Sequence, residues 1–274
     1  MLITVLLLCS LLSGVVAGFT CGDGWYWVAP VTFVSTFVSL AVLVFLALVV
    51  LCALVDLKKP QQHDSKLYRF VATVLCDAAY PLLSARLHTT GTEQIPTNGR
   101  FLLVCNHIND MDPVTLLKAF PKSQLAFISK RENSSMFLVG KLMHKMMGQL
   151  INRENDREAL ITIKNCIRLL QEDEVSIAVF PEGYTSMDGL LRRFRNGVFK
   201  IAQRTNVPIV VCTLQNTNKI FKNAVKLRRT DVQLHLLRVI APEEYEGMST
   251  AQISDMVYTL MAEDLGPELV FEEN

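Results

Sequence analysis

Phe101-Leu102-Leu103-Val104-Cys105 runs directly into Asn106-His107-Ile108-Asn109-Asp110-Met111-Asp112-Pro113. Five consecutive apolar residues leave no polar face for water, so the first half reads as a strand buried on both sides. Asp112 followed by Pro113 reads as a helix start, with Asp112 available as N-cap and Pro113 at the first helical position, where its missing N–H is no loss. A strand that ends in a short polar turn and passes at once into a helix is the building unit of an α/β layer structure. In such folds ligands gather at the strand ends.

The chain on either side repeats this unit. Downstream, strands are predicted over 125–129, 148–152, 175–180, 209–214 and 232–240, with helices over 136–147, 156–172, 196–205 and 249–265. Upstream, 88–93 reads as a short strand and 95–99, Ile-Pro-Thr-Asn-Gly, as a turn. Before that, apolar residues recur at helical spacing from Lys66 to Leu87. Pro81 interrupts them, which predicts two short amphipathic helices lying near a membrane surface.

The N-terminal part has a different texture. From Met1 to Val55 Asp23 is the sole charged residue, and every Lys and Arg lies beyond Leu57. Two apolar runs, about 2–20 and 28–55, each reach the ~18 residues needed to span a bilayer, and a soluble core helix is rarely apolar on every face for so long. Ala17 and Gly18 offer a cut site for a signal peptide, but no basic residue precedes the first run, which favours a retained segment. Trp25, Tyr26 and Trp27 stand where interfacial aromatics collect. Lys58, Lys59, Lys66 and Arg69 follow the second run, so the positive-inside rule places the remainder of the chain in the cytoplasm. The expected organisation is an anchor over 1–57, membrane-proximal helices over 58–87 and a catalytic-sized domain over 88–274.

Composition excludes several classes of function. The net charge is +1, with no basic block that would point to nucleic acid. The seven cysteines show no paired metal spacing and mostly sit inside apolar runs, so buried reduced thiols are expected rather than a disulfide framework.

His107 and Asp112 are five residues apart, which on a continuous helix would set them about 140° from each other. Across a strand-to-helix turn the carboxylate can instead fold back onto the imidazole. There it would orient the ring and fix its tautomer, leaving the other nitrogen free to accept a proton from an alcohol. A second polar cluster, Phe180-Pro181-Glu182-Gly183-Tyr184-Thr185-Ser186, also ends an apolar run, and its acidic residue is placed to bind hydroxyls. Lys130 and Arg153 put cations at two further strand ends. Cys105, two residues before His107, would point the same way on a strand and so opens a covalent route, against its simpler reading as a buried strand residue. No Gly-x-Ser-x-Gly elbow is present, and no second histidine stands at metal-ligand spacing from His107. The helix over 136–147 mixes four methionines with Lys141, His144 and Lys145, which suits plain core or a surface that admits an acyl chain.

Taken in order, NHINDMD (106–112), KRE (130–132) to INR (151–153), FPEGYTS (180–186) and VPIVV (207–211) resemble the four blocks of the 1-acyl-glycerol-3-phosphate acyltransferase family, across roughly residues 88–215. The resemblance implies a glycerolipid acyltransferase-like α/β fold, a mixed sheet flanked by helices and preceded by transmembrane or membrane-associated helices. It implies transfer of a fatty acyl chain from acyl-CoA or acyl-carrier protein to the free hydroxyl of 1-acyl-glycerol 3-phosphate, giving phosphatidic acid, with no metal or organic cofactor. On this footing His107 resembles the general base, Asp112 its partner and Asn106 a positioning residue. Arg153 falls where the family's phosphate-associated arginine stands, and Lys130, Gly140 and Gly148 keep the spacing of that block. Phe180, Pro181, Glu182 and Gly183 match the third block, and Val207 and Pro208 the fourth. The expected substrate contacts are therefore Asn106, Lys130, Arg153, Glu182, Gly183 and Arg195. Two departures stand out: Phe137 replaces a frequent proline, and Tyr184-Thr185-Ser186 stands where Thr-Arg-Ser is usual, so a phosphate-binding arginine is missing at Thr185. Arg192, Arg193 and Arg195 are candidates to replace it. Alternative readings are acylation of glycerol 3-phosphate or another lysophospholipid, or a lipid-binding relative without catalysis.

Overall fold

The computed structural model describes residues 2–21, 25–152 and 154–271, and the chain divides into two compact units, Met1–Lys59 and Pro60–Asn274. The first unit is a pair of helices, α1 (Leu2–Thr20) and α2 (Trp25–Ala53). Both are long and apolar enough to cross a membrane, with apolar side chains exposed along their lengths. Ser10, Gly14 and Gly18 line one side of α1 at four-residue spacing, and a β-carbon at Gly14 would meet the Ala29 carbonyl oxygen of α2 at 2.9 Å. Small residues thus let the two backbones approach, as in membrane helix pairs, and the Ser13 hydroxyl donates to Thr36 Oγ1 at 2.8 Å beside them.

The second unit holds a seven-stranded sheet in the order β1-β7-β6-β2-β5-β3-β4. Its strands are β1 (Ala85–Thr90), β2 (Leu102–Cys105), β3 (Leu125–Lys130), β4 (Gln149–Ile151), β5 (Ser176–Val179), β6 (Ile209–Gln215) and β7 (Thr230–Ile240). Every pairing is parallel except β6 with β7, which makes the sheet mixed. β2 lies between β5 and β6, in register with Ile177 and Ile209 at Leu102, and all four of its residues are fully buried.

The apolar runs divide by strand alternation. Leu102, Val104, Ile177, Val179, Ile209 and Val211 face one core with α6 (Asp156–Gln171), α7 (Lys200–Thr205) and α10 (Thr250–Leu265). Leu103, Cys105, Ala178, Val210 and Cys212 face the other, with α3 (Lys66–Leu82) and α4 (Asp112–Ala119). Helices on both faces explain why the strands read as continuous apolar runs. The remaining helices are α5 (Phe137–Lys145), α8 (Ile220–Ala224) and α9 (Pro242–Tyr245).

Two expectations need correction. The segment from Lys66 forms one helix, not two, because Pro81 falls in its last turn, where the missing N–H forfeits a single intrahelical bond. Ser84, at φ 51°, then turns the chain into β1, which begins three residues before the expected strand. Tyr68, Ala72, Cys76 and Tyr80 form the buried stripe of α3 while Leu67 and Phe70 are exposed, so this helix belongs to the second unit. Second, Asp112 is not the N-cap of α4. Met111 takes that position, and the Asp112 carboxylate is turned back into the preceding turn.

Candidate active site

Because β2 and β5 are parallel neighbours, the turns that follow them leave the same end of the sheet side by side. The first turn is organised by Asp112. Its Oδ2 accepts the backbone N–H of Ile108 at 2.7 Å and of Asn109 at 2.8 Å, and lies 2.8 Å from His107 Nδ1. The Thr217 hydroxyl donates to Oδ1 from the connection after β6. Because Oδ2 accepts two backbone N–H groups it also meets Nδ1 as an acceptor, which puts the ring proton on Nδ1 and leaves Nε2 as the acceptor. The spacing of five residues therefore works as expected across a turn, not along a helix.

The second turn braces the first. Glu182 Oε1 accepts the His107 N–H at 2.7 Å and Oε2 the Arg192 N–H at 3.1 Å. Burial pushes the Glu182 carboxyl up to about 8, against the lowering effect of those two N–H bonds. Ser186 closes the junction, its N–H donating to the His107 carbonyl at 2.7 Å. Phe180 stacks on the imidazole with ring centroids 4.2 Å apart and planes 17° from parallel. With its backbone, one ring face and Nδ1 all fixed, the imidazole presents Nε2 in a single direction.

That direction is toward Thr185, whose hydroxyl lies 2.9 Å from Nε2. Both residues line a cavity of about 1540 Å³, above the roughly 300–1,000 Å³ of ordinary small-molecule pockets. Its inner wall is apolar: Ala72, Leu75 and Ala79 of α3, Leu138, Leu142 and Met143 of α5, and Phe127 of β3. The same lining carries the cations Lys130, Arg195 and Lys200. Of the four methionines of this segment, Met136, Met143 and Met146 line the cavity and Met147 lies in the core.

The expected substrate contacts separate by position. Lys130, Gly183 and Arg195 line the cavity. Gly183 sits at φ 81°, and a β-carbon there would meet Arg195 Nε at 2.7 Å, so a glycine lets the arginine lie across the turn. Asn106 and Glu182, by contrast, have their polar atoms engaged within the fold. The Asn106 amide donates to the Leu214 carbonyl at 2.9 Å and accepts its N–H at 2.7 Å, extending the β2–β6 ladder, and Glu182 is the brace described above. Arg153, expected at the acceptor phosphate, lies outside the described residues. Cys105 is fully buried with its thiol pushed well above the ordinary range by desolvation, which favours its reading as a core residue. Thr185 and Thr217 are the two site residues that the sequence did not single out by role.

The chain is similar to known proteins in sequence and fold. The acyltransferase family model matches residues 86–215. A 1-acyl-sn-glycerol-3-phosphate acyltransferase of Borreliella burgdorferi is 30% identical over 176 residues, 63% of this chain and 70% of that protein. One from Cocos nucifera is 28% identical over 62% of this chain, which spans only 55% of that relative. The crystal structure of the 1-acyl-sn-glycerophosphate (LPA) acyltransferase PlsC from Thermotoga maritima superposes with a TM-score of 0.61 over 75% of this chain and 81% of that one, at 22% identity, a likeness of fold. With the four sequence blocks in order, the His107–Asp112 pair formed and a relative matched over most of its length, the chain belongs to the 1-acyl-sn-glycerol-3-phosphate acyltransferase family.

Proposed function

We propose that the protein transfers a fatty acyl group from a thioester, acyl-CoA or acyl-carrier protein, to the free hydroxyl of 1-acyl-glycerol 3-phosphate, giving phosphatidic acid. The observation that carries this reading is the Thr185 hydroxyl resting on His107 Nε2 in a cavity with an apolar wall. It marks where an alcohol would donate to the base.

In the reaction the acceptor hydroxyl takes that place. Nε2 accepts its proton as the oxygen attacks the thioester carbonyl, and the tetrahedral intermediate collapses with loss of the thiolate, which takes the proton from the imidazolium. Asp112 stabilises the imidazolium between the two steps. General-base help of this kind contributes about 10²–10⁴ in rate, and alignment within the cavity supplies a further share. The acyl chain fits the α3–α5 wall, while Lys130, Arg195 and Arg153 are the cations offered to the phosphate. We assign no metal or organic cofactor a part in these steps, and turnover should persist in a chelator. The cluster of Lys58 and Lys59 after α2 supports a cytoplasmic active site.

Purified protein presented with a mixed panel of lyso-acceptors and acyl thioesters tests the assignment by mass spectrometry. Phosphatidic acid should dominate the products. Preferential acylation of glycerol 3-phosphate or of a zwitterionic lysophospholipid would replace the acceptor proposed here, and no product at all would remove the activity.

A further inference from the structure

The connection between β6 and β7, residues 216–229, is built against the preferences of a water-facing loop. Its short helix α8 ends in a cap where the Leu227 N–H donates to the Ala224 carbonyl at 3.0 Å and the Arg228 N–H to that of Asn223 at 2.9 Å. Leu227 takes the left-handed conformation there, φ 53°, which glycine or asparagine adopts readily and a leucine β-carbon resists. Its side chain is nevertheless 91% exposed, and that of Val225 is 87% exposed. Neither backbone preference nor packing among the described residues accounts for a leucine at this position. Phe221, one turn earlier, is also exposed.

Cations surround these apolar tips. Lys222, Lys226 and Arg228 are exposed and make no ion pair among the described residues. The connection also adjoins the site: Thr217 donates to Asp112, and a β-carbon built on Gly189 would lie 3.0 Å from the Asn218 amide. The loop containing Gly189 carries exposed Met187. Since β6, β2 and β5 are parallel, these loops emerge at the end of the sheet that bears His107.

We propose that residues 216–229 form a membrane-docking element for an anionic bilayer. Phe221, Val225 and Leu227 enter the boundary between headgroups and acyl chains, and Lys222, Lys226 and Arg228 reach back to the lipid phosphates, as long basic side chains do at interfaces. Docking here holds the cavity's end of the sheet against the phase where a lyso-acceptor resides. This goes beyond the acyl-transfer reading, because binding requires no turnover.

The test uses the full chain with Cys9→Ser and Cys21→Ser, which leaves the five buried cysteines, and a spin label at Val225→Cys. In phosphatidylglycerol-rich nanodiscs the label should collide more with oxygen than with a water-soluble nickel chelate, and less so in pure phosphatidylcholine. A label equally exposed to water in both lipids overturns the proposal. So does burial accompanied by dipolar broadening between labels, which would show a second copy covering the surface. Leu227→Asn, which relieves the left-handed strain, should raise the unfolding midpoint in detergent by about 1–3 °C. It should also lower turnover of bilayer-embedded acceptor about three- to tenfold, leaving a short-chain monomeric acceptor unaffected. Equal loss on both acceptors contradicts docking. If no acceptor is turned over, the acyl-transfer reading fails while the label depth still decides this one.

Discussion

At the scale of single residues, Asp112 holds the 106–112 turn and the imidazole with one carboxylate. Asp112→Asn puts an amide NH₂ among donors that all need an acceptor. At least one buried N–H or O–H loses its partner, at a cost of about 1–3 kcal/mol. The variant should therefore unfold at lower temperature as well as turn over at least tenfold more slowly, read from paired melting and kinetic measurements. Full stability with full activity would show that Asp112 neither braces nor orients. Glu182 gives a pH signature. Its carboxyl is raised from 4.5 to about 8 in the fold, so the folded state holds its proton more tightly than the unfolded chain does. The resulting stabilisation is complete below the unfolded value and is lost as pH rises toward the folded one, at about 1.4 kcal/mol per pH unit. Measured against Glu182→Gln, which cannot ionise, the wild-type melting temperature should fall between pH 5 and 8 and run parallel above that range. A difference that stays constant from pH 5 to 8 would mean that the carboxylate is ionised throughout that range.

Among elements, the turn after β5 departs furthest from what the sequence conveyed. That His107 could meet Asp112 was legible, because both lie within one short turn and the geometry needs only that the turn not be helical. The central strands were legible for the same local reason, their burial on both faces leaving continuous apolar runs. Thr185 reaches His107 only through the register of β5 on β2, and Thr217 reaches Asp112 only through that of β6, so neither contact is written in nearby residues. Glu182 was expected at the substrate because its turn looked open, yet which way a turn residue points depends on the neighbouring turn that supplies its partners. β1 started earlier than expected because Arg86 and His88 alternate with apolar residues too few to set a boundary, and its pairing with β7 does so instead. Thr185→Val tests the role of this turn. If the Thr185 hydroxyl only occupies Nε2 until the acceptor arrives, removing it deletes a competing bond of about 0.5–1.5 kcal/mol. The variant should then keep kcat, with KM for the acceptor unchanged or lower by up to about tenfold. Loss of turnover in a folded variant would make the hydroxyl a participant.

For the whole molecule, one sheet end gathers the parts on which the proposed acyl transfer rests: an imidazole fixed on three sides, and a cavity with an apolar wall and cations in its lining. The apolar helix pair and the sheet-bearing domain form two compact units. Everything proposed for the reaction passes through one nitrogen, His107 Nε2. The most direct measurement is the rate of phosphatidic acid formation from lysophosphatidate and acyl-CoA by His107→Ala, alongside its melting temperature. Turnover lower by about 10²–10⁴ in a variant that still unfolds cooperatively is the predicted result. A folded His107→Ala protein that acylates lysophosphatidate at the wild-type rate would contradict the account.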